Sequence, residues 1–476
     1  MNEIKFGTDG WRALIAEDFT FDNVRIVSQA FAEYLHRADR ASKGVVVGYD
    51  TRFLSGAFAA AVAEVLAANN IKVGLTSTHV PTPMLSFAVL ERDADAGVMI
   101  TASHNPARWN GFKVKMGNGA SAPTEVTQII EDAIPAVIAM NRVQRIPLGE
   151  AQSRGLVETF DPRPAYVAKT RELVDVQSIR DAGFVVLVDS MYGAGAGLTA
   201  EIIGEGATRI HEIRGEPNPA FPGMRAPEPI TANLGETFSL LARGGYAAGL
   251  STDGDGDRFG LADEQGRFIN QLQVFALLTR YLLDVRGERG AIVRSVTTSR
   301  MVDRLGALFG CEVFETRVGF KYLGEKMMET DALIAGEESG GYAFRGHIPE
   351  RDGILSGLYL LDAMVRTGRT PSQLLTDLYA TVGRHEYDRI DVTLRPDEHA
   401  TIEARVAAAE PATIAGIPVV GRDTVDGFRF HLEGGWWLLL RFSGTEPLLR
   451  VYAEMPSAEQ VQDALQAGQE LAGVAL

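Results

Sequence analysis

Short apolar runs, each closed by a polar or glycine-rich turn, recur along most of the chain. Gly44-Val45-Val46-Val47-Gly48 ends in Tyr49-Asp50-Thr51-Arg52. An alanine-rich stretch from Ala57 to Ala68 follows, and Ile71-Lys72-Val73-Gly74-Leu75 reads as the next strand. Phe21 to Tyr34 carries its apolar residues at helical spacing. Strand, polar turn, helix and strand in that order predict a mostly parallel sheet. The order returns at Phe184 to Asp189 and at Ala247 to Leu250, with a proline- and glycine-rich loop from Glu216 to Ile230 between them. Ala291-Ile292-Val293 and Leu333-Ile334-Ala335 predict a third unit. The character changes near Thr370-Pro371. Beyond it, Ile390 to Leu394 and Trp436 to Leu440 read as strands and Ala458 to Ala472 as a closing helix, a smaller α+β unit.

Length agrees with this count, since 476 residues suggest three or four domains. A hydrophobic fraction of 46% supports a large core. The formal net charge of −16 disfavours nucleic-acid partners, and an anionic ligand would need a local basic pocket. Cys311 is the only cysteine, so no internal disulfide can form and a reducing compartment is expected. Met1 to Lys5 lacks the apolar segment of a signal peptide. No apolar run approaches the ~20 residues of a membrane span. These features lead to the expectation of a cytoplasmic protein without a membrane partner.

Four polar stretches follow apolar runs and carry candidate chemistry. Thr101-Ala102-Ser103-His104-Asn105-Pro106 comes after Ala96 to Ile100, where α/β sheets present their reactive groups; a plain turn serine is the alternative. Asp253-Gly254-Asp255-Gly256-Asp257-Arg258 crowds three carboxylates that repel unless a cation joins them. Oxygen-only ligation suits Mg²⁺, and Arg258 at the sixth position excludes an EF-hand loop. Gly336-Glu337-Glu338-Ser339-Gly340-Gly341 offers the carboxylate and hydroxyl that sugar hydroxyls pair with, or is a solvated turn. Arg441-Phe442-Ser443-Gly444-Thr445-Glu446-Pro447 could cradle a phosphate, or be a hydrogen-bonded turn. Lys321 opens a helical segment and is a candidate proton shuttle if its pKa is lowered, though helical lysines are commonly solvated. Gly193 to Gly197 imitates a dinucleotide loop but has Leu198 where the third glycine belongs. There is no Walker-type phosphate loop.

Taken in order, these loops and the opening Phe6-Gly7-Thr8-Asp9-Gly10-Trp11-Arg12 resemble the signatures of the α-D-phosphohexomutase superfamily. The resemblance spans almost the whole chain. It implies three related α/β domains around a central cleft plus a smaller C-terminal α+β domain, with boundaries at 1–152, 153–258, 259–370 and 371–476. It implies that Ser103 is the phosphoserine, assisted by His104 and Lys113, with Arg12 and Arg258 at the active site. Asp253, Asp255 and Asp257 look like the Mg²⁺ ligands, completed by Ser103. Glu337 and Ser339 resemble the sugar clamp. Arg441, Ser443, Gly444 and Thr445 resemble the phosphate loop, and Arg294 a looser phosphate contact. The implied activity is interconversion of hexose 1-phosphate and hexose 6-phosphate, with hexose 1,6-bisphosphate as intermediate and activator, by a monomer or homodimer. Gly341 stands where many mannose- and glucosamine-type members carry histidine. Together with Glu337-Glu338-Ser339 and Gly319-Phe320-Lys321, it leans toward glucose. A phosphomannomutase, phosphoglucosamine mutase, hexose-bisphosphate synthase or non-catalytic phosphosugar-binding protein is the alternative.

Overall fold

The computed structural model describes residues 4–395, 397–443 and 447–474. Its first sheet contains β1 (Trp11–Leu14), β2 (Val45–Tyr49), β3 (Val73–Thr76), β4 (Ala96–Ile100), β5 (Trp109–Met116) and β6 (Val157–Phe160), in the order β1-β5-β4-β2-β3-β6. The second contains β7 (Val185–Asp189), β8 (Arg209–Ile213), β9 (Ala248–Thr252), β10 (Phe259–Ala262) and β11 (Phe268–Ile269), in the order β11-β10-β9-β7-β8. The third contains β12 (Ile292–Ser295), β13 (Val313–Thr316), β14 (Ile334–Gly336) and β15 (Tyr342–Phe344), in the order β13-β12-β14-β15. Apart from Val185 at the start of β7, the valines and isoleucines of β2, β4, β7 and β12 are buried, as parallel strands covered on both faces require.

Each of these sheets ends its parallel run with an antiparallel strand. β4 turns back into β5, β9 into β10 and β14 into β15. The three turns are residues 101–108, 253–258 and 337–341, so three of the four candidate loops occupy the same structural position in successive units. β1 and β5 were not expected as strands. Neither segment is an apolar run, yet β1 pairs with β5 through Arg12↔Gly111.

Sheet membership runs past two expected seams. β6 pairs with β3, so the first sheet extends beyond residue 152 to Phe160. β10 and β11 complete the second sheet, which extends beyond 258 to Ile269. Helix Pro371–Val382 packs against helix Gln271–Arg280 of the third unit, which extends that unit past 370. The fourth sheet is antiparallel throughout: β16 (Glu386–Thr393), β17 (Thr413–Ile414), β18 (Ile417–Asp423), β19 (Phe428–Leu432), β20 (Trp437–Phe442) and β21 (Leu448–Met455), in the order β16-β21-β20-β19-β18-β17. The expected closing helix forms over Ala458–Ala472 and covers its apolar face. Among the described residues no helix is long and apolar enough to cross a membrane.

The first three units share packing. Val80, Met84 and Leu85 join Tyr166, Leu198, Phe259, Ile354 and Leu358 in one apolar cluster. A segment of the third unit, residues 347–353, then ties the others together with polar groups. Buried Asp352 caps helix Gly353–Thr367 and accepts the Tyr166 hydroxyl at 2.8 Å. Next to it, buried Glu350 pairs with buried Lys115 of β5 at 2.5 Å and accepts Ser121 Oγ at 2.6 Å. Burial alone would raise Glu350, but Lys115 and Arg351 outweigh it and hold its pKa at about 2. That places the linked stability above the ordinary carboxylate pKa of 4.5, to be lost as pH falls toward about 2.

Glu350→Leu strands a buried ammonium and is expected to cost about 3–5 kcal/mol in denaturant unfolding, with Lys115→Met/Glu350→Leu recovering most of it. The double variant should also lack part of the wild-type loss of stability below pH 4.5. Equal stability of the single and double variants would refute the brace.

Candidate active site

The register that pairs Tyr49 with Ile100 sets the ends of β2 and β4 side by side. Ser103 therefore lies just beyond the sheet, 1% exposed, with a left-handed backbone (φ +51°). Its Oγ donates to Asp253 Oδ2 at 3.0 Å, across from the first unit to the second. The two loops can approach this closely because Gly254 has no side chain. A Cβ there would sit 2.8 Å from the Ser103 carbonyl oxygen and 2.9 Å from Pro227.

Asp253, Asp255 and Asp257 are all fully buried, and each contributes an oxygen to a group spanning no more than 4.8 Å. Their oxygens divide into two sets. Asp253 Oδ1 accepts the backbone N–H of Asp257 and of Arg258, and Asp253 Oδ2 takes Ser103. Asp255 Oδ2 meets Lys113 Nζ at 2.9 Å and Thr82 Oγ1 at 2.7 Å. Asp257 Oδ2 meets Arg351 at 2.7 Å. Asp255 Oδ1 and Asp257 Oδ1 are buried without a hydrogen-bond partner. Buried carboxylate oxygens left in this way fit a hard divalent cation.

The electrostatics point the same way. Burial, together with Asp255 and Asp257, drives Asp253 well above the usual carboxylate range. Burial would also raise Asp255, but Lys113 and Thr82 more than offset it and hold Asp255 low. Burial would lower Lys113, yet Asp255, Asp9 and Asp257 raise it and keep it cationic. His104 Nδ1 is 3.4 Å from Ser103 Oγ. Desolvation, then Arg258 and Arg12, push this imidazole well below its ordinary range, so it is neutral. Arg12 donates to Asn105 Oδ1 at 2.6 Å, and Arg258 pairs with Glu228 at 2.6 Å.

The sugar-loop candidate joins this network through a residue that the sequence did not single out. Arg351 is 5% exposed and reaches Asp257, Asp9 at 2.9 Å and Glu337 at 3.0 Å. Glu337 also accepts Ser339 Oγ at 2.6 Å. Arg351 accounts for Gly341 as well, because a Cβ at 341 would fall 2.1 Å from the Arg351 Cδ. The signal available in the sequence was the Glu350-Arg351-Asp352 run, an unusual density of charge just before an apolar helix. Glu338, the neighbour of Glu337, pairs with Arg389 of β16 at 2.9 Å and links this loop to the fourth sheet.

Other expected residues lie elsewhere. Lys321 Nζ sits over the Tyr322 ring at 5.2 Å and lines a surface groove with Phe6, Thr8 and Gln128. Arg294 is buried between Asp303 at 2.8 Å and Glu315 at 2.5 Å, which already balance its charge. Arg441 pairs with Asp426 at 3.0 Å, and the Ser443 N–H donates to Leu448. Gly444 and Thr445 lie outside the described residues.

A buried hydroxyl facing a carboxylate cluster, with fixed cations around it, is an arrangement suited to phosphoryl transfer. Four family models match the chain in order: phosphoglucomutase/phosphomannomutase α/β/α domains I, II and III at residues 3–139, 164–266 and 270–382, and the C-terminal domain at 403–467. A phosphoglucomutase/phosphomannomutase of Thermococcus kodakarensis is 30% identical, with 99% of each chain covered. A probable phosphoglucosamine mutase of Methanothermobacter thermautotrophicus is 32% identical, with 96% and 95% covered. The crystal structure of a putative phosphomannomutase from Thermus thermophilus superposes with a TM-score of 0.85 at 35% identity, covering 99% of both chains. The chain belongs to the phosphoglucomutase/phosphomannomutase family of the α-D-phosphohexomutase superfamily, and is an intramolecular phosphotransferase.

Gly341→Ala is expected to force Arg351 aside and cost about 1–3 kcal/mol, and Arg351→Ala should cost less in thermal melts when added to Gly341→Ala than when added to the wild type. Additive losses would mean that the two positions do not share space. Mg²⁺ at 100 times its dissociation constant should stabilise the wild type by about 2.7 kcal/mol and Asp255→Asn far less. Equal stabilisation of both would place the ion elsewhere.

Proposed function

We propose that this enzyme interconverts hexose 1-phosphate and hexose 6-phosphate, with glucose the preferred sugar, through phosphorylated Ser103 and a hexose 1,6-bisphosphate. The observation that carries the reading is the Ser103 Oγ at 3.0 Å from Asp253, beside two carboxylate oxygens that have no partner. Mg²⁺ held by Asp253, Asp255, Asp257 and phosphorylated Ser103 would supply charge neutralisation for the moving phosphoryl group.

The chain's own residues then divide the work. Lys113, held cationic by three carboxylates, stabilises the phosphoryl oxygens. His104, neutral and 3.4 Å from Ser103 Oγ, takes the proton of the attacking sugar hydroxyl once the substrate phosphates offset the nearby Arg258 and Arg12 charges that depress it. The phosphorus–oxygen bond to Ser103 breaks as the bond to the sugar oxygen forms, leaving a bisphosphate. After the sugar turns end for end, the Ser103 oxygen attacks its other phosphate, the phosphorus–oxygen bond to the sugar breaks, His104 returns its proton to the released sugar oxygen, and the phosphoserine is restored. Arg12 and Arg258, both near enough to His104 to act on its charge, offset the anionic intermediate. Glu337 and Ser339 hold sugar hydroxyls in both orientations, and the loop containing Arg441, Ser443, Gly444 and Thr445 holds the phosphate that is not reacting.

The glucose preference is supported by Gly341 and by the Arg351 side chain that fills the space beside it. A histidine at 341 would collide with that side chain. The names of the relatives span glucose, mannose and glucosamine phosphates, so the test compares all three sugars.

With glucose 1,6-bisphosphate as primer, glucose 1-phosphate should give the highest kcat/KM of the three sugar 1-phosphates. A tenfold preference for mannose or glucosamine phosphate would reverse the assignment. Ser103→Ala should lose turnover while still binding glucose 6-phosphate, and chelation should slow the wild type by about 10³ or more. Wild-type rates in either case would end the proposal.

A further inference from the structure

Arg52 lies outside the reacting groups, yet its surroundings are unusual. It is 3% exposed and stands three residues past the end of β2. Its guanidinium faces four carbonyl oxygens of one loop. One terminal nitrogen donates to Ser103 and Asn105, both at 2.5 Å. The other donates to Pro106 at 2.9 Å and Trp109 at 3.0 Å. The remaining nitrogen lies 3.2 Å from Asp50 Oδ2. The same carboxylate grips the loop from its other end. Asp50 Oδ2 accepts Thr101 Oγ1 at 2.5 Å, and Thr101 Oγ1 accepts the Ser103 N–H at 2.8 Å.

Ser103 is thus held at its N–H through Thr101 and at its C=O through Arg52, with Asp50 joining the two. Between those two holds the serine has a left-handed backbone, which a residue with a Cβ disfavours. Such a conformation persists only where the surroundings over-determine it. The four carbonyls turn inward to Arg52, and Ser103 Oγ is directed to Asp253 instead.

We infer that Arg52 is a positioning residue for phosphoryl transfer: it locks the Ser103 backbone so that the hydroxyl meets the acidic loop, and it touches neither substrate nor metal. The inference rests on the mutase reading above. A misplacement of about 1 Å at a reacting atom costs about 10²-fold in rate. Lysine cannot replace the arginine, because one ammonium cannot span four carbonyls.

The test uses the full-length enzyme with Arg52→Lys, which retains a charge against Asp50, and Thr101→Val, which releases the Ser103 N–H while leaving Arg52 in place. The expected result is a fall in kcat of about 100-fold for Arg52→Lys and about 10-fold for Thr101→Val, with KM within about threefold of wild type. Amide exchange across residues 103–109 should rise about tenfold in both, with little change in β7 to β15. A kcat within about threefold of wild type in both variants, a loss carried by KM, or unchanged loop exchange would overturn the inference. Failure of the wild type to turn over any hexose phosphate would refute the mutase reading instead, and loop exchange would still decide whether Arg52 holds Ser103.

Discussion

Three carboxylates buried within a few ångströms of one another are intolerable unless positive charge is brought to them. This constraint organises the molecule. Lys113 comes from β5 of the first sheet, Arg351 from the connection after β15 of the third, and the aspartates themselves from the hairpin between β9 and β10 of the second. No single unit contains a balanced site. The carboxylates meet these cations only where all three units pack together, in a molecule whose three units share one apolar cluster and are tied across the seams by residues 347–353.

The balance is incomplete, and the shortfall is chemically useful. Each of Asp255 and Asp257 gives one oxygen to a protein cation and keeps the other unpaired. Asp253 is pushed toward holding a proton. A divalent cation and a phosphoryl group on Ser103 would complete the arrangement together, one supplying charge and the other accepting it. The loop proposed to hold the sugar is coupled to the same charges, since Arg351 holds Glu337 with one nitrogen and Asp257 with another. Glu338 extends the chain of contacts to Arg389, so the fourth sheet meets the sugar loop through an ion pair.

Much of this could be read from sequence because the chemistry lies in loops that follow apolar strands. Ser103, the three aspartates and Glu337 were each legible as a polar cluster after a short apolar run, and the closing helix over 458–472 followed from its periodicity. What could not be read was pairing between distant segments. Lys113 and Lys115 alternate with buried apolar residues on β5, a strand whose polar sequence conceals it until β1 and β4 flank it. Arg351 and Arg52 act on groups far away in the chain; the Glu350-Arg351-Asp352 charge run is the one local mark of the first, and nothing local distinguishes the second from a surface arginine. Arg294 lies in the third sheet between Asp303 and Glu315, a pairing that its place in the sequence does not reveal. Strands β6, β10 and β11 join the preceding sheets past 152 and 258 by hydrogen bonds that no composition change announces.

The central claim is that one hydroxyl carries the phosphoryl group between two ends of a sugar. Tandem mass spectrometry of the wild-type enzyme after incubation with glucose 1,6-bisphosphate and Mg²⁺ measures this directly. The account predicts a single phosphoryl group on the peptide containing residues 101–108, localised to Ser103, and its loss when glucose 6-phosphate is added in excess. A phosphoryl group found only on another residue, or an enzyme that turns over without ever acquiring one, would contradict it.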